Sequence, residues 1–536
     1  MARTGRWCFV VVLGLLAAPQ AGVCQEGLSD LDRRLAAELS DVASDQQAAP
    51  RADDETFLRR VTLDTVGVNP TPNEVTLFVL DPSPDKRERL IDRRLNDPRF
   101  GTNWARYWRD VIVARRSSAD RQILSLVSEP LERFLTEQFN ANTGWDRIAR
   151  SFIEAEGTIA ERGETAFVLV HMAQTSSVAA EASRVFLGMQ IQCAECHDHP
   201  FDTWKRPQFH EFAAFFPRVG LQRERTPDGG ATLRVAAFDT GPLARRPGGQ
   251  QGALEHFMPD LLKPDERGTQ MSPVFFATGQ SLEPGTTDAE RRGSLGQWMT
   301  SPDNPWFAKA FVNRVWAELV GQGFCEPVDD LGPDRPSVAP KTWEYLAEDF
   351  AQHGYDIRRL YRSVLLSDAY QRESRPKPGP DGVPFLANVR TPLRADQFVD
   401  VLADAVGFSW EARLTENPRA FRNGPRTQLV QLFEFDPSLR REEITSSIPQ
   451  VLAVMNSPVV NRVFDARGSS WFGSLVANGD DDAVVTELYL RCLARMPNDS
   501  ELQICREHVA AATSRFAALE DVFWSLLNSE EIRYRN

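Results

Sequence analysis

Sulfur and imidazole are scarce in this chain, whose 536 residues include seven cysteines and seven histidines. Positive charge is also in deficit: 61 Lys and Arg stand against 75 Asp and Glu, a formal net charge of −14 with a pI near 5.2. Such a balance excludes nucleic acid as a general partner, because phosphate binding needs a basic face. The acidic surface serves solubility instead. After the N-terminal segment no run reaches the roughly 18 uninterrupted apolar residues that a membrane helix needs, so no membrane span is expected. G-x-S-x-G, a Gly-rich phosphate loop and H-E-x-x-H are missing, which leaves hydrolase and nucleotide chemistry without a signal. Adjacent carboxylates such as Asp329-Asp330 and Glu442-Glu443 read as helix starts or solvated faces rather than acid/base pairs. With 42% hydrophobic and 25% charged residues the composition is that of a globular protein. At roughly 150 residues per domain, the length suggests about three or four units.

What sulfur and imidazole there is gathers in one place, Gln192-Cys193-Ala194-Glu195-Cys196-His197-Asp198-His199-Pro200-Phe201-Asp202. C-x-x-C-H is the attachment pattern for c-type haem: the two thiols add to the vinyl groups, and the adjacent histidine ligates iron. No other cysteine lies near enough in sequence to suggest a four-sulfur site. The N-terminus supports this reading, since covalent haem is attached outside the cytoplasm. Arg3 and Arg6 precede an apolar run from Cys8 to Ala18 that is too short to span a bilayer, and small residues follow to Cys24. Residues 1–24 therefore read as a signal peptide, and the mature chain is expected to be exported, periplasmic or otherwise extracytoplasmic. Cys24 is a candidate lipid anchor, but Val23 is too large for a good lipobox and simple cleavage is the better reading.

Helical spacing dominates the rest. Acidic residues open a helix at Asp53, and Pro70-Thr71-Pro72 is expected to end it. Trp104, Tyr107, Trp108, Val111 and Ile112 make the heaviest aromatic stripe, read as core anchors. A long amphipathic helix over 176–192 is expected to run straight into the thiol pair. After it, Phe209, Phe212, Phe215 and Phe216 are candidates to wall a porphyrin or simply to fill a core. Composition then shifts to Gly, Pro, Arg and Thr over 219–284, with only 231–239 strand-like. The fold class expected is mainly α, with two helical domains (27–218 and 285–534) joined by a long irregular Gly/Pro-rich connection with minor β content. Cys492 and Cys505 lie on successive helices and could face each other as a disulfide or as two buried small hydrophobes. Leu135–Phe139 with Gly144-Trp145-Asp146 is echoed by Leu346–Phe350 with Gly354-Tyr355-Asp356, which reads as shared helix grammar.

Several stretches carry a family resemblance: Phe57–Asp64, Trp104–Trp108, Val185–Gly188 running into Cys193–Asp202, Asn313–Ala317, Glu326–Asp330, Leu366–Gln371 and Trp524–Glu531. On these the chain resembles planctomycete proteins built from DUF1549 (PSCyt2, cytochrome-like) followed by DUF1553 (PSD1). The resemblance implies a cytochrome-like role, a label that rests mainly on C-x-x-C-H. Many relatives carry a separate N-terminal cytochrome-c-like domain with its own attachment motif, whereas this sequence has no second C-x-x-C-H.

Two cofactor readings follow from the residues. For one haem c, Cys193 and Cys196 are the thioether attachments and His197 the axial ligand. Met189, His171, Met172 and His210 are candidates for the opposite face, and an exported redox partner is implied. For zinc, Cys193, Cys196, His199 and His210 spell C-x2-C-x2-H-x10-H, with Asp198 and Asp202 to orient imidazoles, although relatives often carry Tyr at the position of His210. A third reading is a helical scaffold or binding protein with no redox role.

Overall fold

Helix starts follow their capping residues. Asp53 accepts the Thr56 N–H at 2.7 Å and opens Asp54–Val66. Thr287 and Glu290 form a reciprocal box at the start of Asp288–Met299, and Asn304 caps Pro305–Val320, which begins on its proline. The first of these helices ends at Val66 on the left-handed Gly67, whose N–H caps the Leu63 carbonyl, and not at the Pro70–Pro72 stretch, which instead starts a helix that periodicity missed, Pro72–Leu80. Thr71 and Glu74 cap it reciprocally, and proline at the first position has no N–H to leave unpaired. This is a computed structural model that describes residues 29–536 except 41–45, 116–120, 226–228, 241–253, 264, 380–381, 408–424, 441–442, 445–446 and 457–470. The described chain is mainly α-helical with minor β content, as the spacing predicts.

The aromatic stripe is core. Trp108 stacks on Phe311 at 5.3 Å with rings 6° apart, Trp145 lies 4.6 Å from the same Phe311, and Trp104 meets Tyr361 edge-on at 4.5 Å. In each pair one ring comes from the first half and one from the second. A single hydrophobic cluster therefore runs from Leu31 to Ala494, where the sequence suggested separate domains over 27–218 and 285–534. A second cluster gathers Phe398 with the helices Asp481–Leu493, Asp499–Ala511 and Arg515–Asn528.

Between the halves there is more regular structure than composition suggested. Val219–Arg225 pairs antiparallel with Ala231–Ala237, Leu221 opposite Val235, and Gly157–Thr158 adds to the other edge of that strand. The first strand was missed because only its beginning is apolar and buried, its end being Gln, Arg, Glu and Arg in solvent. His256–Met258 and Thr269–Met271 form a second short antiparallel pair.

Much of what the family resemblance rests on proves architectural. From Phe57–Asp64, Arg59 donates to the Tyr534 carbonyl at 2.8 Å, and Arg60 to those of Asn536 at 2.7 Å and Arg372 at 2.8 Å. Asp64 accepts from the Tyr370 hydroxyl at 2.7 Å and from Arg535 at 3.1 Å. The internal echo marks two helix corners packed against each other: the Trp145 N–H donates to the Tyr355 carbonyl at 3.1 Å, and Asn142 to Asp356 at 2.9 Å.

Candidate functional site

The expected continuous helix over 176–192 breaks before it reaches the thiols. Thr175–Ala182 is α-helical, Ser183–Leu187 widens into a π turn, and Gly188 stops it in the left-handed region at φ 68°. Ser183 holds the exit, its hydroxyl donating to the Met189 carbonyl at 3.0 Å while its own carbonyl accepts the Met189 N–H at 3.2 Å. The reason for the break is the neighbour: a Cβ on residue 188 would sit 2.7 Å from the Leu331 side chain, and the Leu331 N–H donates to the Gly188 carbonyl at 2.7 Å.

A 3-10 turn, Ile191–Glu195, then carries the motif. In such a turn residues three apart eclipse. Ile191 and Ala194 take the inner face and are buried, while Cys193 within the turn and Cys196 at its C-cap are exposed. Both are exposed free thiols. His197 follows, also exposed, with Nδ1 2.7 Å from the Asp198 carbonyl. A carbonyl only accepts, so Nδ1 carries the proton and Nε2 of the neutral ring keeps its lone pair. His199 has the opposite tautomer: its Nδ1 accepts the Phe201 N–H at 3.3 Å.

His210, from the helix Arg206–Ala213, is tied into the protein at both nitrogens. Nε2 donates to the Glu195 carbonyl at 3.0 Å, and Nδ1 accepts from His256 Nε2 at 2.9 Å. Burial lowers both rings, His256 down to about 3 with the help of its His210 neighbour, so this pair is uncharged near neutral pH. The C-x2-C-x2-H-x10-H set is accordingly not assembled. Among the described residues no three His, Cys, Asp or Glu side chains are grouped to hold a metal ion. Asp198 and Asp202, expected to orient imidazoles, close the loop instead. Asp198 accepts the Arg206 N–H at 3.0 Å and pairs with Lys205 at 3.1 Å, contacts that hold it below the usual carboxylate range. Asp202 accepts the Thr203 N–H at 2.7 Å and abuts Gly332, where a Cβ would overlap its carboxylate.

Other candidates fall into the core. Met189 and His171 are fully buried, and burial beside Arg184 pushes His171 down to about 3. Met172 is half-buried. Phe209, Phe212, Phe215 and Phe216 wall no open slot: they are buried, with Phe212 edge-on to Phe276 at 5.0 Å and Phe215 near Trp298 at 6.1 Å. Cys492 and Cys505 are buried free thiols rather than a disulfide, and burial raises both. Cys325 is likewise buried, pushed up to about 11. Residues 1–24, including Cys24, lie outside the described residues.

Sequence reasoning missed Arg206 and His256. Arg206 donates to the Glu195 carbonyl at 3.2 Å and to that of Pro259 at 2.6 Å, joining the motif turn to a loop that exposes Leu261 and Leu262. Phe201 is 74% exposed within the motif itself. Neither residue carries a pattern of its own: Arg206 matters through the Glu195 and Pro259 carbonyls, and His256 through the His210 ring.

Behind the turn lies a buried ion network. Arg184 grips both carboxylate oxygens of Glu181 (2.6 to 3.0 Å) and reaches Asp329 at 3.1 Å, and Gln190 donates to Asp329 at 3.0 Å. The segment Glu326–Asp330 thus supports the motif from the second half of the chain.

Residues 30–220 match PSCyt2, described as a protein of unknown function (DUF1549), and residues 291–409 match PSD1, a protein of unknown function (DUF1553). The chain belongs to the PSCyt2–PSD1 family. Its thiol turn lies in the PSCyt2 region, and its supporting carboxylate, Asp329, in the PSD1 region. No curated protein and no solved structure matches it.

Proposed function

We propose that this chain is an exported cytochrome-like protein that carries one haem c, attached through Cys193 and Cys196 and ligated by His197. The observation that carries the reading is the geometry of the turn: two exposed, unbridged thiols three residues apart, followed by an exposed imidazole whose Nδ1 proton is held by a carbonyl while Nε2 keeps its lone pair. These are the groups that thioether formation and axial ligation need, in accessible form. Haem, when bound, supplies one-electron chemistry. The protein's part is to hold His197 in one tautomer through Asp198, to expose apolar Phe201 within the motif, and to tie the motif turn through Arg206 to the loop that exposes Leu261 and Leu262.

Among the described residues, the sequence candidates for a second ligand are engaged elsewhere. Met189 and His171 are in the core, and both nitrogens of His210 are engaged. Export fits the N-terminal signal read in residues 1–24, since attachment takes place outside the cytoplasm, and an exported electron donor or acceptor is the partner implied. The test is peptide mapping of full-length protein produced in a host with periplasmic haem attachment. One haem on the peptide holding Cys193–His197 is expected. Both cysteines recovered as alkylatable thiols from fully matured protein would sink the reading.

A further inference from the structure

Two bridges hold the hairpin formed by His256–Met258 and Thr269–Met271 beside the thiol turn. Arg206 donates from Nε to the Glu195 carbonyl at 3.2 Å and from Nη2 to the Pro259 carbonyl at 2.6 Å. His210 donates to the same Glu195 carbonyl at 3.0 Å and meets His256, in the first strand of the hairpin, at 2.9 Å. The two imidazoles stack, 23° apart at 5.2 Å. A single guanidinium therefore separates the motif turn from the start of the hairpin loop, and a pair of rings separates it from the strand before that loop.

The loop so held carries residues that turn chemistry does not call for. The Lys263 N–H donates to the Asp260 carbonyl at 3.1 Å, and Asp260 Oδ1 accepts the Leu262 N–H at 2.9 Å. Leu261 and Leu262 thus occupy the two central positions of a β-turn, where Gly, Pro, Asn, Asp and Ser are the usual residues. They are 61% and 93% exposed, and Phe201 of the motif is 74% exposed. Neighbouring large apolar side chains left in water mark a surface that binds something. The phenylalanines of the helix Arg206–Ala213 and its exit offer no such surface, being buried in the core.

We propose that Leu261 and Leu262 are the apolar cover of a porphyrin attached at Cys193 and Cys196, with Phe201 packing on it from within the motif. This inference rests on the haem reading above. Exposed thiols fix an attached macrocycle close to the hairpin, and closing the leucines over its apolar face removes both surfaces from water. Arg206 and the His210–His256 pair are then positioning residues, which set the distance between the attachment turn and its cover. An apolar cover disfavours the more highly charged oxidised haem, so the leucines raise the reduction potential.

Radiolytic hydroxyl-radical footprinting of full-length protein matured with periplasmic haem attachment, against the haem-free Cys193→Ser/Cys196→Ser chain, tests the placement. Side-chain oxidation of Leu261 and Leu262 is expected to slow severalfold in the loaded protein. Leu77 and Leu80, 70% and 72% exposed on the helix Pro72–Leu80, serve as the reference and should react alike in both. In a spectroelectrochemical titration, Leu261→Asn/Leu262→Asn should keep its covalent haem and lower the midpoint potential, whereas Leu77→Asn/Leu80→Asn should leave it unchanged. A chain that takes no haem overturns this proposal together with the reading beneath it. A loaded chain in which Leu261 and Leu262 are oxidised as fast as in the haem-free one, or whose potential ignores the hairpin change, overturns this proposal alone.

Discussion

At the scale of single residues, exposure separates the groups proposed to hold haem from those that hold the fold. Cys193, Cys196 and His197 are exposed, and the His197 hydrogen bond runs only to the adjacent Asp198 carbonyl, so Cys193→Ser, Cys196→Ser or His197→Ala should change folding stability by no more than about 0.5 kcal/mol. The cysteine changes should nevertheless abolish covalent haem, readable as loss of haem-linked peroxidase staining on a denaturing gel. Arg184 is the opposite case. Removing it leaves Glu181 and Asp329 buried with their main cation gone, and Arg184→Met should cost about 3–5 kcal/mol in denaturant unfolding. The histidine pair gives a pH signature. Burial keeps folded His256 neutral down to about 3 and also lowers His210, whereas unfolded imidazoles take up protons near pH 6.5. Over that window the unfolded state binds more protons, so stability falls as pH drops from about 6.5 towards 3. Thermal melts between about pH 7 and pH 4.5 should show a shallower decline in His256→Gln than in the parent.

At the scale of elements, the motif turn depends on a helix being stopped. Gly188 is left-handed and lies against Leu331, so Gly188→Ala should destabilise by about 2 kcal/mol or more and displace Ile191–Glu195, measurable by denaturant unfolding and by faster alkylation of Cys193. This element also shows how far the sequence could be read. Ala179, Ala182, Val185, Phe186 and Met189 recur at helical spacing, and helix does form as far as Leu187. Gly188 is a local stop signal for the break, whereas the contact with Leu331 that keeps that position a glycine comes from far along the chain. Pro72–Leu80 was hidden for a different reason: its proline punctuates and initiates at once. The Cys193–His197 motif was legible because its chemistry lies in adjacent residues. The role of His210 was not, since its two partners, the Glu195 carbonyl and His256, come from separate segments.

At the scale of the whole molecule, the two halves are joined by rings rather than by a linker alone. Trp108 and Trp145 pack on Phe311, Trp104 on Tyr361, and Arg59 and Arg60 reach the last residues of the chain. Residues 27–218 produced alone would bare that apolar surface, so the fragment should aggregate or bind a hydrophobic dye strongly, while full-length protein should melt without an independent transition for this region. The claim on which the functional account turns is a haem iron on the Cys193–His197 turn. Its most direct test is the iron content and reduced-minus-oxidised visible spectrum of the full-length protein matured in an attachment-competent periplasm. One iron per chain with c-type bands is the predicted result; colourless protein without iron from a host that matures a control cytochrome c would contradict it.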